Sequence, residues 1–266
     1  MARTLLSVSS QVAFGPVGNS AAVPAMEALG LTVFAVPTIV LSHHPGHGKP
    51  AGLRVPAADL AAMIDSLQAL GVLDGLSGVL TGYFAANDQI HGLARAIRKL
   101  KAANPRMIYL CDPVIGGESK GLYVPLPVAE AVRSALLPLA DIVTPNVFEL
   151  EWLSGLRLDW AAEAEKARQL LNVGALVVKS IPRDGKRIAT LLCGGLGSGF
   201  VESSQRANVP NGTGDLFAGL FLGHLLNGLD GPSALERSIA AVERVMDASG
   251  GSSALDLSPL RKFTMP

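Results

Sequence analysis

ADIVTPNVFELEWLSG, residues 140–155, changes character within five residues. Ile142–Thr144 is a short apolar run of strand type, and Pro145 ends it. Asn146 then reads as the N-cap of a helix over 146–154, with Glu149 three residues on in the first turn, the spacing of a capping box. A strand that passes directly into a helix is half of a βαβ unit, and the chain repeats that unit in both directions.

Upstream, strands are expected at Leu5–Ser9, Val33–Pro37, Gly78–Gly82 and Met107–Asp112, and downstream at Ala175–Lys179 and Ile188–Cys193. Helical periodicity fills the gaps near 19–29, 57–70, 87–103, 127–137 and 160–172. Two more helices, near 213–227 and 232–248, close the chain. This rhythm predicts a three-layer α/β/α fold around a mainly parallel sheet, with ligands beyond the carboxyl ends of the strands. Asp112, Thr144 and Lys179 are each expected at such an end. No internal repeat or linker divides the sequence, so 1–266 is read as one domain. The Pro/Gly-rich stretches His43–Pro56 and Gly116–Pro127 are read as two flaps over the site.

Composition fits a well-buried sheet: 49% of the 266 residues are apolar and 17% charged. Lys plus Arg equals Asp plus Glu at 22 each, which removes the electrostatic case for nucleic acid or an anionic membrane as partner. Cys111 and Cys193 form no CxxC pair and lie in apolar runs, as reduced core thiols do. MARTLLSVSSQVAFG lacks the long apolar core of a secretory signal, and no stretch approaches the ~18 continuous apolar residues of a membrane span. A soluble, cytoplasmic protein is expected.

The strongest chemical signal is Asn211-Gly212-Thr213-Gly214-Asp215, followed by the apolar helix LFAGLFLGHLL. Two glycines one residue apart let the backbone turn tightly and bare its N–H groups at a helix N-terminus, a place for an anion. Asp215 would stand beside that anion as a base, and phosphoryl transfer needs both parts. The plainer reading has Thr213 capping the helix and Asp215 complementing its dipole. Asp112 and Glu149 are open to two readings as well, support of a magnesium ion or simple local structure.

GHGKP at 46–50 is not a phosphate loop, because His43 stands where the first glycine belongs and Pro50 replaces the Ser/Thr. No run fits GxGxxG, and GGLGSG at 194–199 is read as a tight turn between two strands. His43, His44 and His47 share one loop without the fourth donor and carboxylates a zinc site uses. They face substrate or solvent.

Several stretches together resemble the pyridoxal kinases, a branch of the ribokinase-like superfamily, over nearly the whole length. They are SSQVAFGPVGNSAA (9–22), TIVLSHHPGHGKPAG (38–52), TGYF (81–84), CDPVIG (111–116), GLYVP (121–125), LLPLADIVTPNVFELEWLSG (136–155) and NGTGDLFAG (211–219). The resemblance implies transfer of the ATP γ-phosphoryl group to the 5′-hydroxyl of pyridoxal, with pyridoxine and pyridoxamine as related acceptors. It implies Asp215 as the base, with the backbone of Gly212, Thr213 and Gly214 as the anion hole. Ser10 matches the serine that meets the pyridine ring, Tyr83 an aromatic of the substrate wall, and Val17 lies in the same region. Asp112 and Glu149 match acidic positions near phosphates and magnesium, with Glu118 an outer metal contact. Thr144 matches a phosphate-side hydroxyl and Lys179 a lysine near the nucleotide phosphates. Magnesium with ATP, a potassium-type cation and a homodimer are implied in the same way.

The chain departs from the family pattern in the first flap, where Ser-Asn-His-Thr becomes Ser42-His43-His44-Pro45. Pro45 offers neither hydroxyl nor N–H, so within Pro45–His47, Gly46 included, a polar contact is lost or passes to His43 or His47. Leu122 replaces a cysteine that some members carry in the second flap, and the stretch from Gly194 to Asn211 is short. The nearest rival is a hydroxymethylpyrimidine kinase, whose motif resembles GTG-Cys where this chain has Gly214-Asp215. A vitamer-binding protein without turnover is the rival from another class, and a sugar kinase fits the loops less well.

Overall fold

The computed structural model describes residues 3–263. Strand β1 (Thr4–Phe14), helix α1 (Asn19–Glu27) and strand β2 (Thr32–His43) form the first unit, and the short β3 (Gly52–Arg54) folds back on β2. Next come α2 (Ala57–Ala69), β4 (Gly78–Thr81), α3 (Asn87–Ala103) and β5 (Ile108–Cys111). A small ribbon of β6 (Gly116–Gly117) and β7 (Gly121–Leu122) precedes α4 (Leu126–Ala131) and β8 (Ile142–Val143). Helices α5 (Val147–Ser154) and α6 (Ala161–Leu171) lead to β9 (Ala175–Arg183), β10 (Arg187–Gly194) and β11 (Gly199–Ser204). The helices α7 (Thr213–Leu226) and α8 (Gly231–Ala248) follow.

The main sheet has nine strands in the order β11-β10-β9-β8-β5-β4-β1-β2-β3. Every pair from β9 to β2 is parallel, while β9–β10, β10–β11 and β2–β3 are antiparallel. Strand β1 lies between β2 and β4, so the winding reverses there and opens a crevice at its carboxyl end.

Two separate apolar cores explain why the strands sit where they do. In β9, Leu176 and Val178 face one core and Ala175 and Val177 the other. In β5, Tyr109 and Cys111 join the first core and Leu110 the second. This period of two, with both faces apolar, belongs to a sheet covered on each side. Helices α2 to α6 cover the first face, and α1, α7 and α8 the second. The α/β/α layering expected from the sequence is therefore present. Both cysteines are free and buried.

Differences lie at the periphery. Strands β1 and β2 run on to Phe14 and His43, well beyond Ser9 and Pro37, with a register shift between Ser9 and Gln11. Their outer ends, Val12–Phe14 and Ile39–Leu41, are apolar but only partly buried, and polar Ser9–Gln11 and the Pro37–Thr38 pair separate them from the inner runs. The stretch His43–Pro56 is thus an arm with strands at its base, a 3-10 turn at Pro45–His47 and β3 on its return. Likewise, Gly116–Pro127 contains the β6–β7 ribbon, and β11 was not among the expected strands. GGLGSG does form the turn between β10 and β11. The expected helix at 127–137 is α4 followed by a π turn (Val132–Leu136) and a 3-10 turn (Leu137–Leu139). Pro138, which has no N–H to donate, breaks the regular ladder there.

Candidate active site

Asp112 and Thr144 each lie one residue past a parallel strand, β5 and β8. Lys179 does not end its strand, since β9 continues to Arg183, but Ser180 beside it has φ 58° and kinks the strand there. The three side chains meet. Asp112 Oδ1 accepts from Thr144 Oγ1 at 2.9 Å and from Lys179 Nζ at 2.7 Å. Asp112 is 2% exposed and Thr144 is fully buried. Burial pulls the Lys179 ammonium down, but Asp112, Glu149 and Asp215 around it reverse this and hold its pKa above the ordinary value. Lys179 thus stays charged. Val114, two residues past Asp112, has φ 39°, a strained conformation for a β-branched residue and one that clusters at functional sites.

Asn146 and Glu149 form the capping box that their spacing predicts. Asn146 Oδ1 accepts from Glu149 N at 2.9 Å, and Glu149 Oε2 from Asn146 N at 2.9 Å. The other carboxylate oxygen, Oε1, accepts from Ile115 N at 3.0 Å. Burial first, offset in part by Lys179 and opposed again by Asp112, pushes Glu149 up to about 7.

The reading in which Thr213 caps α7 does not hold. Gly212 is the N-cap, at φ 95°, and has no side chain to cap the helix. A Cβ at Gly212 would overlap the Pro16 carbonyl, so only glycine makes this turn. A Cβ at Gly214 would stand 3.2 Å from Lys179 Nζ, which places the start of α7 beside the Asp112–Lys179 pair. Asp215, in the first turn of α7, is held by backbone N–H groups of Gly18 and of its own residue. Burial, and then the Asp112 charge, raise it to about 6. Two glycines complete this corner. A Cβ at Gly18 would overlap Ser10, and one at Gly82 would overlap Ser9 Oγ and lie 3.6 Å from Asp215 Oδ1.

These groups open into one cavity of about 820 Å³. Its β1–β2 end is lined by Ser10, Val12, Val17, Tyr83 and, from the arm, His44, Pro45 and Gly46. Gly117, Ser119, Lys120 and Tyr123 enter from the β6–β7 segment. Asp112, Glu149, Lys179 and Gly212–Asp215 line the middle. The far end belongs to Ile188 and Thr190 of β10, Arg206, Val209 and the α8 stripe Ile239, Val242, Glu243 and Met246.

Thus Ser10, Val17, Pro45, Gly46, Tyr83, Asp112, Glu149, Lys179 and Gly212 to Asp215 come together around one space. Thr144 stands behind Asp112 rather than on the wall. Glu118 is exposed on the ribbon and outside the lining, and the half-buried His43 and His47 of the arm lie outside it too. His43 Nδ1 pairs with Ser42 Oγ at 3.0 Å, while His47 packs edge-on against Phe14 at 5.4 Å. The arm histidine that reaches the cavity is His44, a residue the sequence reading did not select. Its Nδ1 accepts from Gly46 N at 3.0 Å, which leaves the proton of the neutral ring on Nε2. Burial, then His47 and Lys120, lower its pKa, so the ring stays neutral. Lys120, Tyr123 and Val114 were also missed, and nothing in a loop's spacing says which residues turn inward.

Among the described residues, no group of three or more His, Cys, Asp or Glu is placed to hold a metal ion by itself. Magnesium used with a nucleotide needs less, one or two carboxylates beside phosphate oxygens. Asp112 fits that use, since the bonds it accepts from Thr144 and Lys179 both fall on Oδ1 and no donor among the described residues meets Oδ2.

The profile described as phosphomethylpyrimidine kinase matches residues 17–254. The chain is 34% identical to a pyridoxal kinase of Histophilus somni, over 97% of this chain and 93% of that protein. It is 37% identical to a pyridoxal kinase of Actinobacillus succinogenes, over 92% and 88%. Among solved structures, pyridoxal kinase from Leishmania donovani in complex with ADP and pyridoxamine superposes with a TM-score of 0.89 at 27% identity, covering 99% of this chain and 96% of that one.

Proposed function

Because the chain belongs to the phosphomethylpyrimidine kinase family, on its pyridoxal kinase branch, we propose that it phosphorylates pyridoxal. The γ-phosphoryl group of ATP passes to the 5′-hydroxyl, and pyridoxine and pyridoxamine are acceptors of the same kind. The product is pyridoxal 5′-phosphate, formed in vitamin B6 salvage. The observation that carries this reading is Asp215, a carboxylate of raised pKa in the first turn of the glycine-capped helix α7, beside the Asp112–Lys179 pair.

In this reading the vitamer occupies the β1–β2 end, with Ser10 toward the pyridine ring and Tyr83 and Val17 along its faces. Asp215 takes the hydroxyl proton as the oxygen attacks phosphorus. The backbone N–H groups of Gly212–Gly214 and the Lys179 ammonium stabilise charge on the transferring group. The nucleoside lies toward β10 and α8, where Val209, Val242 and Met246 offer apolar surface. Asp112 would hold magnesium, with Glu149 and the outlying Glu118 as supporting carboxylates. Magnesium would offset the phosphate charge. Thr144 acts through Asp112, whose Oδ1 it occupies.

A potassium-type helper cation, a homodimer, one kinase domain spanning 1–266 and a cytoplasmic site of action belong to the same proposal. Among the described residues, no helix is long and apolar enough to cross a membrane. The test is ATP consumption with pyridoxal, pyridoxine, pyridoxamine and hydroxymethylpyrimidine, in potassium and in sodium buffer. Turnover highest with a B6 vitamer supports the reading. Preference for hydroxymethylpyrimidine would move the chain to the rival kinase, and tight vitamer binding without ATP consumption would make it a binding protein.

A further inference from the structure

The β6–β7 segment brings Gly117, Ser119, Lys120 and Tyr123 to the cavity, yet the ribbon itself pairs only Gly116 with Leu122 and Gly117 with Gly121. A two-stranded ribbon this short does not keep its place unaided. Its root is held from α5. Glu149 Oε1 accepts from Ile115 N at 3.0 Å and meets Gly116 N at 3.5 Å, and Asn146 Nδ2 donates to Gly116 O at 2.9 Å. Asn146 also bridges to Lys179, whose N–H donates to Pro145 O at 2.8 Å. One capping box therefore ties together the start of α5, the root of the ribbon and the strand that carries Lys179. Glycine at 116 lets these parts touch, since a Cβ there would overlap the Phe148 ring and stand 2.7 Å from Gly121 O.

We propose that Asn146 and Glu149 are positioning residues that clamp the ribbon over the acceptor end of the cavity and couple its placement to the strand bearing Lys179. This use of Glu149 adds to a role beside magnesium, and it rests on the kinase reading of the site.

The first measurement is independent of catalysis. Hydrogen exchange at the Ile115 and Gly116 amides should quicken by about tenfold or more in Glu149→Ala, while the β5 amides stay protected. Unchanged exchange at those two amides overturns the clamp. The second is kinetic. Gly116→Ala keeps the Glu149 carboxylate but pushes the ribbon off α5. It should raise the pyridoxal KM by roughly threefold to tenfold with kcat within about twofold and the magnesium midpoint unmoved. Phe148→Leu in the same chain should restore part of that KM. An unchanged pyridoxal KM in Gly116→Ala, or a magnesium midpoint that moves with it, overturns ribbon positioning. If the parent protein phosphorylates no vitamer, the kinase reading alone fails, and the exchange result still decides the clamp.

Discussion

The floor of the cavity and the arm above it are built in opposite ways. On the floor, Asp112, Thr144, Lys179, Glu149 and Asn146 are interlocked by hydrogen bonds of 2.7–2.9 Å. In the arm, His47 Nε2 is buried with no partner among the described residues, and Phe14 and Leu53 are 59% and 60% exposed. The floor fixes a pattern of charge that has little freedom to relax, which is what electrostatic stabilisation of a transferring phosphoryl group requires. The arm presents imidazole rings on a thin support and can adjust around an acceptor.

The sharpest way to break this contrast is Asp215→Asn. Removing the base should lower kcat by about 10²–10⁴, and near-full turnover would remove Asp215 from that role. Stability should move the other way. The Asp215 pKa is raised to about 6 in the folded protein, from an ordinary value of 3.8. The folded state therefore favours the protonated form, an advantage complete below the ordinary value and lost as pH rises through about 6. At pH 7 the ionised carboxylate opposes folding, so the asparagine variant should melt roughly 2–4 °C higher. The parent's kcat/KM should rise with pH through about 6, and that limb should vanish in the variant.

Lys179→Met tests the interlocking itself. It leaves Asp112 buried without its cation, at a cost of about 3–5 kcal/mol in urea unfolding, together with weaker ATP binding. Adding Asp112→Asn should return much of the stability and none of the activity. A single variant as stable as the parent would mean that the floor is not held by its charges.

The arm should give the smallest effects. His44→Ala removes one neutral donor, so the pyridoxal KM should rise about threefold to tenfold with the ATP KM unchanged. His47→Ala should change it less, because His47 does not line the cavity. The reverse order would make His47 the residue that reads the acceptor.

The floor was legible in the sequence because its signals are local. A strand ending at a proline, a cap with a carboxylate three residues on, and two glycines opening an apolar helix each fix geometry within a few residues. Their meeting around one space follows from parallel strands presenting their carboxyl ends together. The arm and the ribbon were legible only as loops. Which of His43, His44 and His47 turns inward is decided by the 3-10 turn and by Phe14, distant in sequence. Likewise, the pairing of β11 and of β3 rests on partially exposed strands with little apolar pattern. The bonds from Glu149 to Ile115 and Gly116 span more than thirty positions, beyond the reach of any spacing rule.

Gly18 and Gly82 press against Ser10 and Ser9 so closely that neither position accepts even a methyl group. For lineages descended from this chain, that corner is a fixed inheritance, because each single step away from glycine collides with the strand beneath. Room for divergence lies elsewhere. A Cβ at Gly117, on the ribbon, would meet nothing within 4 Å. A change of acceptor during evolution would accordingly be recorded first in residues 43–50 and 117–123, while the apparatus of transfer stayed as it is.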